Sequence, residues 1–351
     1  MKFLLGLFVL GVLSAGAQAA AILQYHHISD STPLATSTRV ELFTQHLEYL
    51  AQNDFRVLPL PALIERLQAG EDLAEKTVAI TFDDGYDSVY NTALPELKKH
   101  QFPFTVFVNA DLVGSPGYAN WQQLKSMMEA GATVANHTTT HPHMVRKKPG
   151  ETDAGWRARM TREIQTTQKR IEEELGQIHK LLAYPYGEFN APLLSLVKSL
   201  GYIGLGQYSG GVGTQSNWLA LPRFALGSSY GEMDSFVSKA SARAMPVHDI
   251  KLLSDAGDVL PDPVVAAGDR PKLQFELASP SLAASVNCYW QGGSMPITRK
   301  DGVIIVQSPE GLTTGRSRYN CTAPVAGADA FYWFSQPWFI TGANGEWQHT
   351  D

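Results

Sequence analysis

Between Ala21 and Arg243, runs of consecutive apolar residues alternate with amphipathic stretches, and this alternation constrains the fold more than any other feature of the chain. A strand that is apolar on both faces must be covered on both faces, which calls for a parallel sheet with helices packed on it. Ala21 to His26, Phe55 to Leu60, Thr77 to Phe82, Phe104 to Asn109, Ala132 to Ala135, Lys180 to Tyr184, Tyr202 to Gly206 and Leu219 to Phe224 read as strands. Val40 to Gln52, Pro61 to Ala69, Ser88 to His100, Trp121 to Ala130, Trp156 to Leu175, Ala191 to Leu200 and Glu232 to Arg243 carry the helical period, with Pro61 in a first turn and Gly131 just past an end. The expected fold class is α/β: a (β/α) barrel, distorted or incomplete. An open doubly wound sheet is the lesser alternative, because the candidate chemistry lies after several different strands and no glycine-rich phosphate loop is evident.

Residues 1–19 read as a signal peptide: Lys2, the apolar run Phe3 to Leu13, then the small-residue pattern Ala17-Gln18-Ala19. The apolar run is too short to cross a bilayer, which needs roughly 20 residues, and no later segment is a transmembrane candidate. The mature chain is therefore expected to be exported, either periplasmic or secreted. Past about residue 250 the texture changes. A linker-like stretch around Asp255-Ala256-Gly257-Asp258 and Pro261-Asp262-Pro263 leads into β-rich runs at Lys272 to Leu277, Ser285 to Trp290, Val303 to Gln307 and Ala330 to Phe334. This predicts a barrel over residues 20–250 and a linker with a small all-β domain over 251–351. Cys288 and Cys321 are the only cysteines, and in an oxidising compartment such a pair reads as a structural disulfide, contributing on the order of 3 to 4 kcal/mol. Lys and Arg number 28 against 34 Asp and Glu, a net charge of −6, and no basic run is interleaved with aromatics, so nucleic acid is not an expected partner.

The chemistry gathers at strand ends. Val78-Ala79-Ile80-Thr81-Phe82 runs into Asp83-Asp84-Gly85, and Ala132-Thr133-Val134-Ala135 runs into Asn136-His137-Thr138-Thr139-Thr140-His141-Pro142. Adjacent carboxylates at a strand end point to different faces, so one can ligate a metal while the other takes a proton. Two imidazoles four residues apart, with one carboxylate, make a three-ligand site with an open position. The blander readings are a helix N-cap pair for the acids, worth about 1 kcal/mol, and a pair of loop histidines.

Together with Tyr184-Pro185-Tyr186-Gly187, these motifs resemble, in order, those of the polysaccharide deacetylases, the NodB-homology carbohydrate esterases, over roughly residues 21 to 250. The form of the third motif is closer to the branch acting on poly-N-acetylglucosamine. The resemblance implies that Asp84, His137 and His141 hold a divalent metal, most plausibly Zn²⁺ with Co²⁺ or Ni²⁺ as alternatives, and that Asp83 is the general base. It also implies that the backbone N–H of Tyr186 steadies the developing oxyanion. The implied activity is removal of N-acetyl groups from an amino-sugar polysaccharide or oligosaccharide. An O-acetyl esterase and a catalytically weak glycan-binding protein are the alternatives.

The sequence departs from the family pattern twice. Ala183 stands where many members carry an Arg that charge-balances the base, and Arg223 is the candidate replacement. The late general-acid His has only His248 as a local counterpart, and an interface histidine is the equal alternative. His26, Trp121, Tyr184, Pro185 and Arg223 are candidates for contact with the acetylated glycan. His26, in Tyr25-His26-His27, either faces the barrel mouth or packs under the first loop. Trp121 either lines a sugar subsite or meets the core. Tyr184 and Tyr186, flanking Pro185, are candidates for stacking on pyranose rings. His143 reads as a residue beyond the motif, and the aromatics of the C-terminal part read as packing.

Overall fold

A computed structural model describes residues 19–347 apart from Asp72 and Ala278, so the predicted signal peptide, except for Ala19, lies outside the described residues. Six parallel strands form the main sheet in sequence order: β1 (Ala19–Tyr25), β2 (Thr77–Phe82), β3 (Phe104–Val108), β4 (Ala132–Asn136), β5 (Leu181–Ala183) and β6 (Ile203–Leu205). The predicted strand at Phe55 to Leu60 is reduced to Arg56–Val57, beside β2, because helix begins at Leu60. The predicted strand at Leu219 to Phe224 shrinks to Phe224–Ala225. That segment closes the structure: Leu221 bridges to β6, and Phe224–Ala225 pairs with β1. The sheet therefore curls back on itself as a distorted barrel.

Helices α1 (Val40–Gln52), α2 (Leu60–Gln68), α3 (Leu94–His100), α4 (Trp121–Glu129), α5 (Asp153–Leu175), α6 (Ala191–Ser199) and α7 (Met233–Ala240) cover it. Helix α1 shows why they dock: Leu42, Phe43, His46, Leu47 and Leu50 form one buried stripe. Helix α4 starts at a capping box between Asn120 and Gln123, and α5 stops at Gly176, whose φ is 69°.

Strand alternation sorts the core and then builds the site. Ala21, Leu23, Tyr25, Val78, Ile80 and Phe82 join the cluster under α1, α3, α4 and α7. The alternate residues Ala20, Ile22, Ala79, Phe107, Ala135 and Ala183 join a second cluster with Leu60, Leu63, Ile64 and Leu67 of α2. Continuing that second face toward the strand C-termini, the apolar residues give way to Gln24, Thr81, Asp83, Asn109 and His137, all buried. Polar groups thus converge at one rim, above an apolar floor.

The expected boundary at residue 250 falls within β7 (Val247–Leu253), which pairs antiparallel with β9 (Lys272–Leu277), while β8 (Val264–Ala266) lies between them in sequence. The remaining strands are β10 (Asn287–Trp290), β11 (Ile297–Lys300), β12 (Val303–Gln307), β13 (Gly315–Pro324) and β14 (Phe331–Thr341). One sheet runs β7-β9-β12-β11, and the other is built on β14-β13-β10. Leu273, Phe275, Ile304, Val306, Tyr319 and Trp338 fill their shared core, with one short helix at Pro280–Ser285. Cys288 and Cys321 face each other on β10 and β13 and are joined by a disulfide.

Candidate active site

Strand register sets the rim. Tyr25 pairs with Phe82, Val108 with Asn136 and Asn136 with Leu182, which places His26 beside Asp83 and aligns Asn109, His137 and Ala183. Asp84 then turns out of the ladder with φ 69°, followed by Gly85 at φ 70°. A Cβ on Gly85 would lie 2.9 Å from Val108 Cγ1, so only glycine fits this turn without displacing β3.

Asp84 Oδ1 lies 3.3 Å from His137 Nε2 and 3.4 Å from His141 Nε2, and the three ligand atoms all fall within 4.8 Å of one another. Tetrahedral bonds of about 2.0–2.1 Å imply ligand-to-ligand edges of about 3.3–3.4 Å, so the donor set fits a catalytic zinc-type site. The buried Nε2 of His137 has no hydrogen-bond partner, as expected of an atom reserved for a metal. Its Nδ1 meets the Ala183 carbonyl at 2.8 Å, the outer contact that orients a ligating imidazole. Burial would push His137 down, yet the Asp84 and Asp83 carboxylates hold its pKa above the ordinary value. Burial and the His137 charge push His141 down to about 4. Burial would raise Asp84, but His137 above all brings it down to about 2.

The histidine loop is pinned from behind. Glu163 of α5 accepts from the backbone N–H groups of Thr139 and Thr140 at 3.0 and 2.9 Å, and Asn109 donates to the His137 carbonyl. Neither residue was a candidate in the sequence, where Glu163 is one acid among many on a charged helix.

Asp83 is fully buried beside this cluster. Arg223 grips it in a fork, Nη1 to Oδ1 at 2.6 Å and Nη2 to Oδ2 at 2.7 Å, and Gln24 donates to Oδ2 at 2.7 Å. Burial would raise the carboxyl, but the Arg223 guanidinium, helped by His137 and His26, holds it well below the usual range. Arg223 thus lies where the Arg replaced by Ala183 would act. His26 Nε2 lies 4.0 Å from Asp83 Oδ2 on the rim, with its side chain 18% exposed. Tyr86 and Tyr118, missed in the sequence because nothing periodic marks them, stand on the other side. The Tyr86 hydroxyl hydrogen-bonds Asp84 and Tyr118, and burial first, then the Asp84 charge, push its ionisation up, so it stays a donor.

The third motif forms a tight turn in which the Gly187 N–H donates to the Tyr184 carbonyl at 2.8 Å. Tyr186 adopts φ 58° and ψ 2°, a position that favours glycine. Its ring lies edge-on to His141 at 4.7 Å and stacks on His143 at 3.7 Å. His143 in turn meets Glu188 at 2.9 Å.

Four candidates are placed elsewhere. Tyr184 is fully buried with its hydroxyl donating to Leu219, and Pro185 is buried too, so neither presents a face to sugar: alternation turned Tyr184 inward. Trp121 packs on the core under the Arg170 guanidinium. His248 is exposed on β7, its Nδ1 on the Glu276 carbonyl at 2.9 Å; the strand's pairing carries it into the second domain, which corrects its expected role as acid.

Residues 70–205, which contain all three motifs, match the family model described as polysaccharide deacetylase. The chain carries a polysaccharide deacetylase domain. Among curated proteins, the deacetylase domain is 27% identical over 216 residues to YxkH of Bacillus subtilis (strain 168), whose name places it in the same family, covering 60% of this chain and 74% of that one. It is 25% identical over 191 residues to the poly-β-1,6-N-acetyl-D-glucosamine N-deacetylase of Staphylococcus aureus (strain MRSA252), covering 52% of this chain and 66% of that one. Among solved structures, the deacetylase PplD of Streptococcus pyogenes, determined in complex with acetate, superposes with a TM-score of 0.57 at 25% identity, covering 64% of this chain and 99% of that one. Each of these matches leaves more than a third of this chain uncovered.

Proposed function

We propose that this protein is an exported, metal-dependent hydrolase that removes N-acetyl groups from an N-acetylated amino-sugar polysaccharide or oligosaccharide. The observation that carries the reading is the convergence of Asp84, His137 and His141 next to a separate, buried carboxylate, Asp83, clamped by Arg223. A divalent cation held by the three ligands supplies Lewis acidity toward an amide carbonyl and lowers the pKa of water. The remaining roles fall to side chains and backbone. Asp83 keeps an ionised carboxylate available to take a proton from the attacking water. Arg223, Gln24 and Gln207 fix its plane, with Gln207 at 3.4 Å from Oδ2. The Tyr186 N–H is the proposed oxyanion donor. His26, not His248, takes the place of the acid facing the leaving nitrogen, because it is the imidazole beside Asp83 at the rim. The S. aureus relative's named substrate makes poly-β-1,6-N-acetylglucosamine the first polymer to try. No helix among the described residues is long and apolar enough to cross a membrane.

The test is acetate release after reconstitution with Zn²⁺, Co²⁺ or Ni²⁺, comparing N-acetylglucosamine oligomers with O-acetylated xylan. Release from the oligomers is expected. Release from xylan alone would replace the reading with an O-acetyl esterase, and glycan binding with no release under any metal would reject hydrolysis.

His26→Gln is expected to lower kcat by about 10²-fold or more, with bound metal unchanged. His248→Gln serves as the control and should behave as wild type. A His26→Gln enzyme that turns over as fast as wild type would remove His26 from the role of acid.

A further inference from the structure

We infer that Arg316, on β13 of the C-terminal domain, is a positioning residue for the hydrolytic site: its guanidinium holds the Tyr186 peptide in its left-handed turn, so the second domain sets the geometry of the first domain's oxyanion donor. This rests on the hydrolase reading above.

The turn is one that a tyrosine does not adopt readily. Tyr186 at φ 58° is followed by Gly187 at φ 69°, so two successive residues occupy the left-handed region. A Cβ on Gly187 would come within 2.5 Å of Gln207, so the backbone there is pressed against the barrel wall on one side. On the other side the Tyr186 carbonyl is met by Arg316 Nη1 at 2.6 Å, from 130 residues away. That hydrogen bond fixes the peptide following Tyr186 and hence its ψ. Rotation of this residue would carry its own N–H, and the ring set against His141, away from the ligand cluster.

Arg316 is held in place by packing rather than by its own burial. It pairs with Phe339 in the β13-β14 ladder, and Phe339 is buried in the cluster that contains Tyr184, Phe189 and Leu193. The Phe339 and Phe189 rings meet edge-to-face at 5.2 Å, just three residues beyond Tyr186. Asp262 accepts from the Ala191 N–H at 3.3 Å, a second tie from the C-terminal domain to the segment after the turn. The domain is thus seated against the third motif, with one exposed arginine reaching past the seam. An exposed side chain of this kind adds little to global stability. Its loss should show in rate rather than in melting temperature.

The experiment uses the full chain with Arg316→Met, which keeps an apolar stem and removes the donors, and Arg316→Lys, which restores one donor. Kinetics on an N-acetylglucosamine oligomer are paired with hydrogen exchange of the 184–190 backbone in metal-free protein. Arg316→Met is expected to lower kcat by about 10- to 100-fold with KM and thermal midpoint unchanged, and to speed exchange across the turn. Arg316→Lys should recover most of both. Unchanged exchange in Arg316→Met would overturn the inference, as would wild-type kcat, or a rise in KM that Arg316→Lys does not reverse, which would mark a direct substrate contact. If wild type releases no acetate, the hydrolase reading fails separately, and the exchange comparison still decides whether Arg316 holds the turn.

Discussion

Asp83→Asn is expected to lower turnover by about 10²- to 10⁴-fold while metal content stays at the wild-type level. The substitution preserves shape and removes the anion that would accept a proton; it also leaves one N–H of the Arg223 fork without an acceptor, so some stability is lost alongside turnover. Asp83 makes no approach to the imidazoles like that of Asp84 at 3.3 and 3.4 Å, so the three ligands are untouched. Gln24 carries a buried carbonyl oxygen with no partner, so a flip of its amide can accommodate the new Asn donor. His137→Ala should behave oppositely, losing metal and activity together, because it removes a ligand. Metal analysis beside acetate release separates the two variants. Full turnover in Asp83→Asn would end the assignment of Asp83 as base.

Arg223→Met should produce the largest loss of stability, about 3 to 5 kcal/mol, because it strands Asp83 as an uncompensated buried carboxylate. Both side chains are fully buried, and the guanidinium also donates from Nε to the Gly206 carbonyl at 2.9 Å. The pH dependence should change sign as well. In wild type the Asp83 carboxyl is held well below its unfolded value of 3.8, so its stabilisation is full above about pH 4 and is lost as pH falls below it. Without Arg223, burial dominates and raises the carboxyl, so the folded state binds the proton more tightly than the unfolded chain. Stability of the variant should then rise as pH is lowered from 7 toward 4. Denaturant titrations across that range check both points, and parallel wild-type and variant curves would contradict the ion-pair account.

Much of this was legible in the chain because short apolar runs can be buried only in a covered parallel sheet. Asp83, Asp84, His137 and His141 could be found because each follows a strand, where the side chains of different strands meet at one rim. Arg223 was a weaker inference: the missing Arg at Ala183 implied a vacancy of charge, but only the folded barrel brings residue 223 back to β1. His248 failed as the acid because a motif's order along the chain does not say which sheet a strand will join, and Val247–Leu253 pairs with Lys272–Leu277. Tyr184 failed as a sugar contact because one residue of strand alternation separates core from surface. Tyr86, Tyr118, Gln24 and Glu163 left no local signal, since their roles depend on long-range contacts.

The clamp on Asp83 joins residues 140 positions apart, one just past the end of β2 and one on the segment that closes the barrel. On the hydrolase reading, the site is complete only once this long-range contact has closed, with the loop-closure entropy of the intervening chain already met. A fragment trimmed to residues 70–205 would retain every ligand yet leave the base without its counter-ion. The unit that evolution can move between proteins as a working enzyme is therefore longer than the stretch by which its kinship is detected.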